Sequence, residues 1–588
     1  MDYSFEFGHF YIDTIERLLI RDGERITLKN KAIEVLLLLL KKSPAVVVRD
    51  SFMNEIWPDT FVEEGSLTVS ISEIRKALGR GSDGRHYIET IPGRGYRFIP
   101  EPKRVIISPS VQPAHDFPTD QPPQSTTERA IAVLPFINTS SDPSLDYLAD
   151  GFAETIINRL SHLKELRVKA SGSSFRFRGR EAAWSEISRE LGVVAIVTGR
   201  LFQLRERLIV RIVLVDAISG NQLWGEQYDR NSSDLIEVQV EISAEVAKQL
   251  RLRLTGEDER RLAKRSTDSP EAYRAYLKGR YFWSKRPQAG FMKGLDYFRQ
   301  AIDLDPSYAL AYAGLADAYG VLGSWEAGFL PPREAATKAR AAAIRALEID
   351  EDLAEGHTSL AYVALHYDWD WTSAEQGFKR ALELNPSYVH AHHWYSHLCV
   401  VTGKIDKAYE VSVRALELDP LDLIVNVHLA WHYWITRDPA KAIEQSLRTR
   451  ELEPDSLWCH FFCGLAYEEQ GRYVEAVTQF KRASELSTVT TFALAGQAHA
   501  SALAADKPSA EAALRKMEKP TDDHYIPAYD KAIICVGLGD RERATRYLLQ
   551  AFEERSSWMA YLNVEPRLDP LRDDVRFIEL LKRVGVNF

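Results

Sequence analysis

The chain has 588 residues, is 45% hydrophobic and 27% charged, and carries a formal net charge of -10. One hydrophobic core does not organise that length, so several folded units are expected. The acidic balance excludes a protein coated with nucleic acid along its whole length, and leaves room only for a local basic patch.

Residues 3 to 28 alternate apolar and polar positions through Phe5, Phe7, Phe10, Ile12, Leu18, Ile20, Ile26 and Leu28, with Asp22-Gly23 as a turn signal. This pattern predicts a small antiparallel sheet. Thr27 is a candidate helix cap just before Asn30. Further on, Leu67, Ile71, Ile74 and Leu78 recur at helical spacing and predict a buried stripe. The opposite face holds Ser66, Thr68, Ser70, Ser72, Arg75 and Lys76, small hydroxylated and basic residues suited to base edges and phosphates. Tyr87 to Phe98 then reads as a hairpin turning at Pro92-Gly-Arg-Gly95, which puts Arg94 at its tip.

Together these features make residues 1–100 resemble the winged-helix output domain of OmpR/PhoB-type regulators. Leu28 with Ile33 to Leu40 matches the first helix, Asp50 to Trp57 the second, Leu67 to Leu78 the recognition helix, and Tyr87-Ile88 with Gly95 to Phe98 the wing. The resemblance implies double-stranded DNA as partner. Ser66, Thr68, Val69, Ser70, Ser72, Glu73, Arg75 and Lys76 would then face the major groove, and Arg94 the adjacent minor groove. Arg97 and Trp57 complete the expected contacts, Trp57 being equally suited to packing. Glu73 departs from the basic residue often found there, and its carboxylate repels phosphate unless it accepts from a cytosine amine or pairs with Arg75 or Lys76. Whether two copies bind DNA together is left open.

Residues 101–128 are rich in proline, with Pro102, Pro109, Pro113, Pro118, Pro122 and Pro123, and read as a semi-stiff linker. Residues 129–253 alternate strand and helix signals. Ala130–Leu134, Val193–Val197, Leu208–Val215 and Gln222–Tyr228 predict strands, while Leu145–Leu160, Trp184–Leu191 and Leu235–Leu252 predict helices, giving an α/β unit. The runs Ala130–Phe136, Tyr147–Glu154 and Val197–Arg200 resemble the TolB amino-terminal-like domain. Ser171–Ser174 with Arg176, Arg178 and Arg180 reads as a solvated basic loop, with anion binding as the alternative.

Residues 270–588 repeat. Ala381–Pro386, Ala415–Pro420 and Thr449–Pro454 recur at intervals of 34 residues, the period of an all-α helix-turn-helix solenoid. Cys463-Gly464, Tyr467, Ala476, Phe480 and Ala483 resemble the packing positions of tetratricopeptide repeats. Registering the repeats places Tyr362, His390, His393, His397, Val427, Trp431, Trp434, Trp458 and Phe461 towards a concave groove. That groove would suit a protein or peptide partner, and the alternative is that the rings pack against neighbouring helices or a terminal segment.

His393 and His397 lie four apart, yet neither they nor Cys459 and Cys463 complete a ligand set in the sequence, so no metal is expected. Four cysteines in apolar helical sequence, no apolar run beyond Val35–Leu40 and no signal peptide favour a reduced, cytoplasmic protein without a membrane contact. No cofactor motif and no catalytic constellation is found. The expected function is a sequence-specific DNA-binding transcriptional regulator whose carboxy-terminal repeats receive a protein or small-molecule signal. The alternative is an interaction scaffold whose winged helix contacts protein.

Overall fold

The computed structural model describes residues 3–7, 10–13, 18–21, 24–26, 28, 30–56, 65–79, 86–92, 94–100, 103–106, 129–140, 142–180, 182–252, 254–284, 288–324, 329–486, 491–519 and 525–585. The chain forms two compact units, Met1–Gln124 and Ser125–Phe588.

In the first unit, strands β1 (Tyr3–Phe7), β2 (Phe10–Asp13), β3 (Leu18–Arg21) and β4 (Glu24–Ile26) form the expected antiparallel meander. Helix α1 (Asn30–Lys42) buries its whole Val35–Leu40 run, as a helix apolar on all sides must. Lys41 and Lys42 in its last turn complement the helix dipole. The short β5 (Val47–Val48) leads into α2 (Arg49–Ile56), and α3 (Gly65–Leu78) buries Leu67, Ile71, Ile74 and Leu78 as the spacing predicts. The wing is β6 (Ile88–Ile91) and β7 (Gly95–Phe98), with β5 on the outer side of β7. Gly95 has φ 149°, and a Cβ there would stand 2.1 Å from the Val47 carbonyl oxygen, so only glycine lets β7 pass β5 this closely. Strand β8 (Lys103–Ile106) pairs with β1, so the sheet continues past residue 100, where the linker was expected to begin. Phe7 meets Phe98 edge-on at 5.0 Å and Phe10 meets Tyr87 at 5.5 Å, tying the meander to the wing. Asp22-Gly23 and Thr27 lie outside the described residues.

The second unit begins with a sheet ordered β11-β9-β12-β13-β14, where β9 is Arg129–Val133, β10 Ile137–Asn138, β11 Leu166–Val168, β12 Ala195–Leu204, β13 Arg207–Asp216 and β14 Gln222–Asn231. Strands β9, β11 and β12 are parallel, β10 runs parallel beside β12, and β12, β13 and β14 form an antiparallel meander. On one face lie α4 (Asp146–Ser161) and, later in the chain, Leu235–Gln249, packed on Ile131, Val133, Val197, Val210 and Ile212. The other face is covered by a smaller cluster around Ile187 and Leu191, which receives Ala132 and Ile196. The alternation of β9 residues between the two clusters follows from the period of a strand.

Eight antiparallel helix pairs follow among the described residues, from Pro270–Ser284 with Gln288–Leu304 to Ala528–Leu538 with Arg541–Glu554. Small residues let the pairs close up. The fully buried Phe480 ring fills the space that glycine leaves at Gly464 and Gly496. The solenoid closes on itself: Arg333 donates to the Glu553 carbonyl, the Arg555 guanidinium stacks 4.3 Å from the Trp369 ring, and Trp371 Nε1 donates to Gly585 O at 2.9 Å. Two short helical turns, Ser557–Tyr561 and Pro566–Leu571, occupy the space inside.

The sheet-bearing part and the repeats share one core. Tyr273 and Leu277 of the first repeat helix and Tyr308 of the next pack into the cluster under α4, and Tyr273 donates to Gln239 Oε1 at 2.7 Å. A second seam is periodic. His162 donates to Leu384 O at 3.0 Å, Ala170 N donates to Leu418 O at 3.0 Å, and the Arg176 guanidinium donates to Leu452 O. These acceptors lie 34 residues apart, each the last residue of a repeat's second helix, where carbonyls lack an intrahelical partner and carry the negative end of the dipole. Ser171–Ser174 is therefore a docking segment and not a solvated loop: Ser173 N donates to Asp419 Oδ1 at 2.5 Å and Leu421 N donates to Ser173 Oγ at 2.7 Å. Burial, with Asp422 beside it, raises the Asp419 carboxyl well above the ordinary range. Arg178 pairs with Asp150, and Arg180 with Glu186 at 2.6 Å and Glu190 at 3.0 Å, so these arginines have partners within the chain.

Candidate nucleic-acid interface and the repeat face

With the stripe of α3 turned inward, helical geometry puts Thr68, Val69, Ser72 and Lys76 outward, and all four are exposed. Val69 is 60% exposed, an apolar side chain displayed between hydroxyls. Ser70 stands apart from the expectation. It is 7% exposed, because it follows Leu67 by three residues and shares the buried side with Ile71 and Ile74. Glu73 is half-buried at the margin of the open face. The side chain of Ser66 and the whole of Trp57 lie outside the described residues.

Arg75 also differs from the expectation of a free contact. Its guanidinium donates to Ile88 O through Nη2 at 2.9 Å and Nε at 3.2 Å, and to Thr90 Oγ1 at 2.7 Å. The side chain thus fastens α3 to the first wing strand, with the fork geometry that arginine offers and lysine lacks. Across the wing, Arg97 pairs with Glu89 at 2.6 Å within the hairpin. Arg94 is exposed at the turn, with its N–H donating to Ile91 O at 3.0 Å. The open cationic groups described on this surface are therefore Lys76 and Arg94, with Arg75 setting the angle between the two elements that carry them.

An Arg75→Lys variant keeps the charge and loses the forked contact. DNA affinity is expected to fall about tenfold, roughly the loss of one charge-assisted hydrogen bond, while its dependence on salt stays as in the parent. Anisotropy titrations over a salt series measure both quantities, and full affinity in the lysine variant would contradict the fastening role.

The repeat residues meet a different outcome. Tyr362, His393, His397, Val427, Trp431, Trp434 and Phe461 all face inward as registered, but they are buried and not lining an open groove. The chain's own residues 557–571 cover part of this face. Tyr561 OH lies 2.7 Å from His397 Nδ1 and 2.9 Å from His366 Nε2, its ring is 5.4 Å from Trp431, and the Arg567 guanidinium stacks 5.8 Å from Trp434. Trp458 is half-buried and stacks on Phe492 at 5.1 Å, while His390 is exposed. The concave face is thus an interior. This is the alternative in which the rings pack against neighbouring helices and a terminal segment; which segment does so is not marked in the sequence, because residues 557–571 have no repeat pattern. His366, Trp394 and His428, which join the same cluster, are also additions to the registered set.

Cys399, Cys459, Cys463 and Cys535 are all buried with free thiols. Burial pushes Cys399 and Cys459 up to about 11 and Cys535 up to about 12, so they act as small apolar side chains and not as nucleophiles. Among the described residues no helix is long and apolar enough to cross a membrane.

Comparison with known proteins agrees with the amino-terminal geometry. Residues 23–98 match the family described as "Transcriptional regulatory protein, C terminal". The transcriptional regulator HilA of Salmonella paratyphi A (strain ATCC 9150 / SARB42) is 24% identical over 436 residues, 73% of each chain. The transcriptional activator CadC of Escherichia coli (strain K12) is 31% identical over 93 residues, 16% of this chain and 18% of that one. A protein named putative adenylate cyclase 3, from Rhizobium meliloti (strain 1021), is 34% identical over 245 residues, and the match spans 41% of either chain.

Proposed function

From a DNA-binding transcriptional-regulator domain of OmpR/PhoB type at residues 23–98, we propose that the chain is a sequence-specific regulator in which residues 129–588 receive a protein or small-molecule signal. The observation that carries the reading is the open face of α3, where Thr68, Val69, Ser72 and Lys76 lie side by side above a fully buried stripe. In a major groove the hydroxyls of Thr68 and Ser72 would bond base edges, and Val69 would sit against a thymine methyl group. Lys76 would contact phosphate, and Arg94 would reach the neighbouring minor groove. Glu73 would select against phosphate at its margin and for a cytosine amine. Trp57 and Ser66 complete the proposed surface. Likeness to HilA over 73% of its length supports regulation as the purpose of the whole chain. The relative named as a cyclase is matched over 41% of its length, and no catalysis is assigned to this chain.

Genome-wide mapping of bound DNA by the full chain, beside a fragment ending after Ile106, tests the reading. The cut belongs there and not at residue 270, because removing Tyr273, Leu277 and Tyr308 would open the core beneath α4. Shared sites, with binding that weakens steeply as salt rises, are expected for both. Retention on DNA that neither the fragment nor the full chain displays at low salt would return the winged helix to a protein-contact role. The spacing of paired half-sites would read out whether two copies bind together.

A further inference from the structure

The interior of the solenoid holds a constellation that DNA binding leaves unused. His393 and His397 stand one turn apart on the helix Val389–Val401, and His428 reaches them from Leu423–Ile435, the equivalent helix of the next repeat. One ring nitrogen of each lies within 4.8 Å of the other two. His393 Nδ1 and His428 Nδ1 are 3.1 Å apart. Two imidazole nitrogens on one tetrahedral zinc, at about 2.0–2.1 Å from it, stand roughly 3.3 Å from each other. We propose that His393, His397 and His428 form a binding site for a first-row divalent transition-metal ion of the zinc class, with water as the remaining ligand.

The hydrogen bonds around the cluster fix which nitrogen is bare. His366 Nδ1 lies 3.1 Å from Tyr362 O, and a carbonyl only accepts, so this nitrogen carries the proton. In the neutral ring His366 Nε2 is then the acceptor, and Tyr561 OH donates to it. With its one proton committed, the Tyr561 oxygen accepts from His397 Nδ1. His397 Nε2 is left with an unprotonated lone pair, and it is buried with no hydrogen-bond partner. Buried polar atoms without partners are costly, and a cation at the cluster is a natural acceptor of such lone pairs.

The surroundings suit the same ion. Trp394 and Trp431 wall the cluster, their rings packing at 4.4 Å from His393 and 4.1 Å from His397. Beside it a small cavity lined by His366, His397, His428, Trp431 and Tyr561 has room for about one water. An all-imidazole set favours zinc, cobalt, nickel or copper and disfavours calcium and magnesium, which take oxygen ligands. The bond from His397 Nδ1 to Tyr561 is the outer contact that orients a metal-bound imidazole.

The test uses the full chain, stripped with a chelator and titrated with Zn2+ or Co2+. The parent is expected to bind one ion per chain and, with Co2+, to develop the visible absorption of a tetrahedral nitrogen-ligated site. His393→Ala and His428→Ala should each weaken binding about tenfold or more. His390→Ala, at an exposed histidine outside the cluster, should bind as the parent does. Should the two alanine variants fail to fold, the Co2+ spectrum of the parent and of His390→Ala decides alone. No uptake by the stripped parent, no tetrahedral absorption, or equal affinity in all folded variants would overturn the site.

Discussion

Arg567→Met is expected to destabilise the second unit by about 3–5 kcal/mol, because it strands a buried carboxylate. Glu565 is completely inaccessible to solvent. It accepts from Arg567 Nε at 2.8 Å and Nη2 at 3.2 Å, from Trp558 Nε1 at 2.7 Å and from Tyr529 OH at 3.3 Å. Every donor comes from the segment inside the solenoid or from the helix facing it, so the ion pair holds residues 557–571 in place. Burial alone would raise the Glu565 carboxyl, but Arg567 and the indole outweigh it and leave it below its ordinary value. Its contribution is therefore present above the pKa of an unfolded glutamate and is lost as pH falls through the lower, folded value. Urea unfolding followed by tryptophan fluorescence at neutral pH measures the loss. A Glu565→Gln/Arg567→Met double variant should recover much of it. A single variant within about 1 kcal/mol of the parent would mean that the pair does not anchor the segment.

The double variant Lys76→Ala/Arg94→Ala is expected to show the largest loss of DNA affinity, about 1–3 kcal/mol for each contact if both approach the duplex closely. Its fold should be untouched, since both side chains are exposed. Each lost phosphate contact also lowers the slope of log affinity against log salt by about one. Anisotropy titrations at several salt concentrations separate this outcome from that of Arg75→Lys, which keeps the slope. A double variant with parental affinity and slope would remove α3 and the wing turn from the interface.

Local periodicity carried the parts of the fold that depend on one element at a time. The four-residue stripe of α3 is buried as its spacing requires, and the helix Trp184–Leu191 begins and ends where its apolar pattern does. The 34-residue recurrence gave the helix pairs, because each turn of a solenoid meets only its neighbours. What stayed hidden depends on contacts far apart in the chain. Arg75 looked free because the Ile88 carbonyl that holds it belongs to a strand thirteen residues on. Ser70 carries a hydroxyl that suits an outer face, but its place three residues after Leu67 puts it on the buried side. His393 and His397 looked incomplete as ligands because the third imidazole lies one repeat later, at His428, and whether the inward rings line a groove or are covered stayed open because residues 557–571 carry no period of their own. The strand Lys103–Ile106 was absorbed into a proline-rich stretch although its pairing partner is the first strand of the chain.

The bonds to Leu384, Leu418 and Leu452 have a mechanical meaning. An array of stacked helix pairs ordinarily bends like a spring, each joint contributing a little twist. Here the sheet-bearing domain lies across three consecutive joints as a splint, its donors spaced to the pitch of the coil. Flexing at those joints would break bonds to helix-end carbonyls that lack an intrahelical partner. The repeats ending at Leu384, Leu418 and Leu452 are thereby held with the sheet-bearing domain as one stiff body.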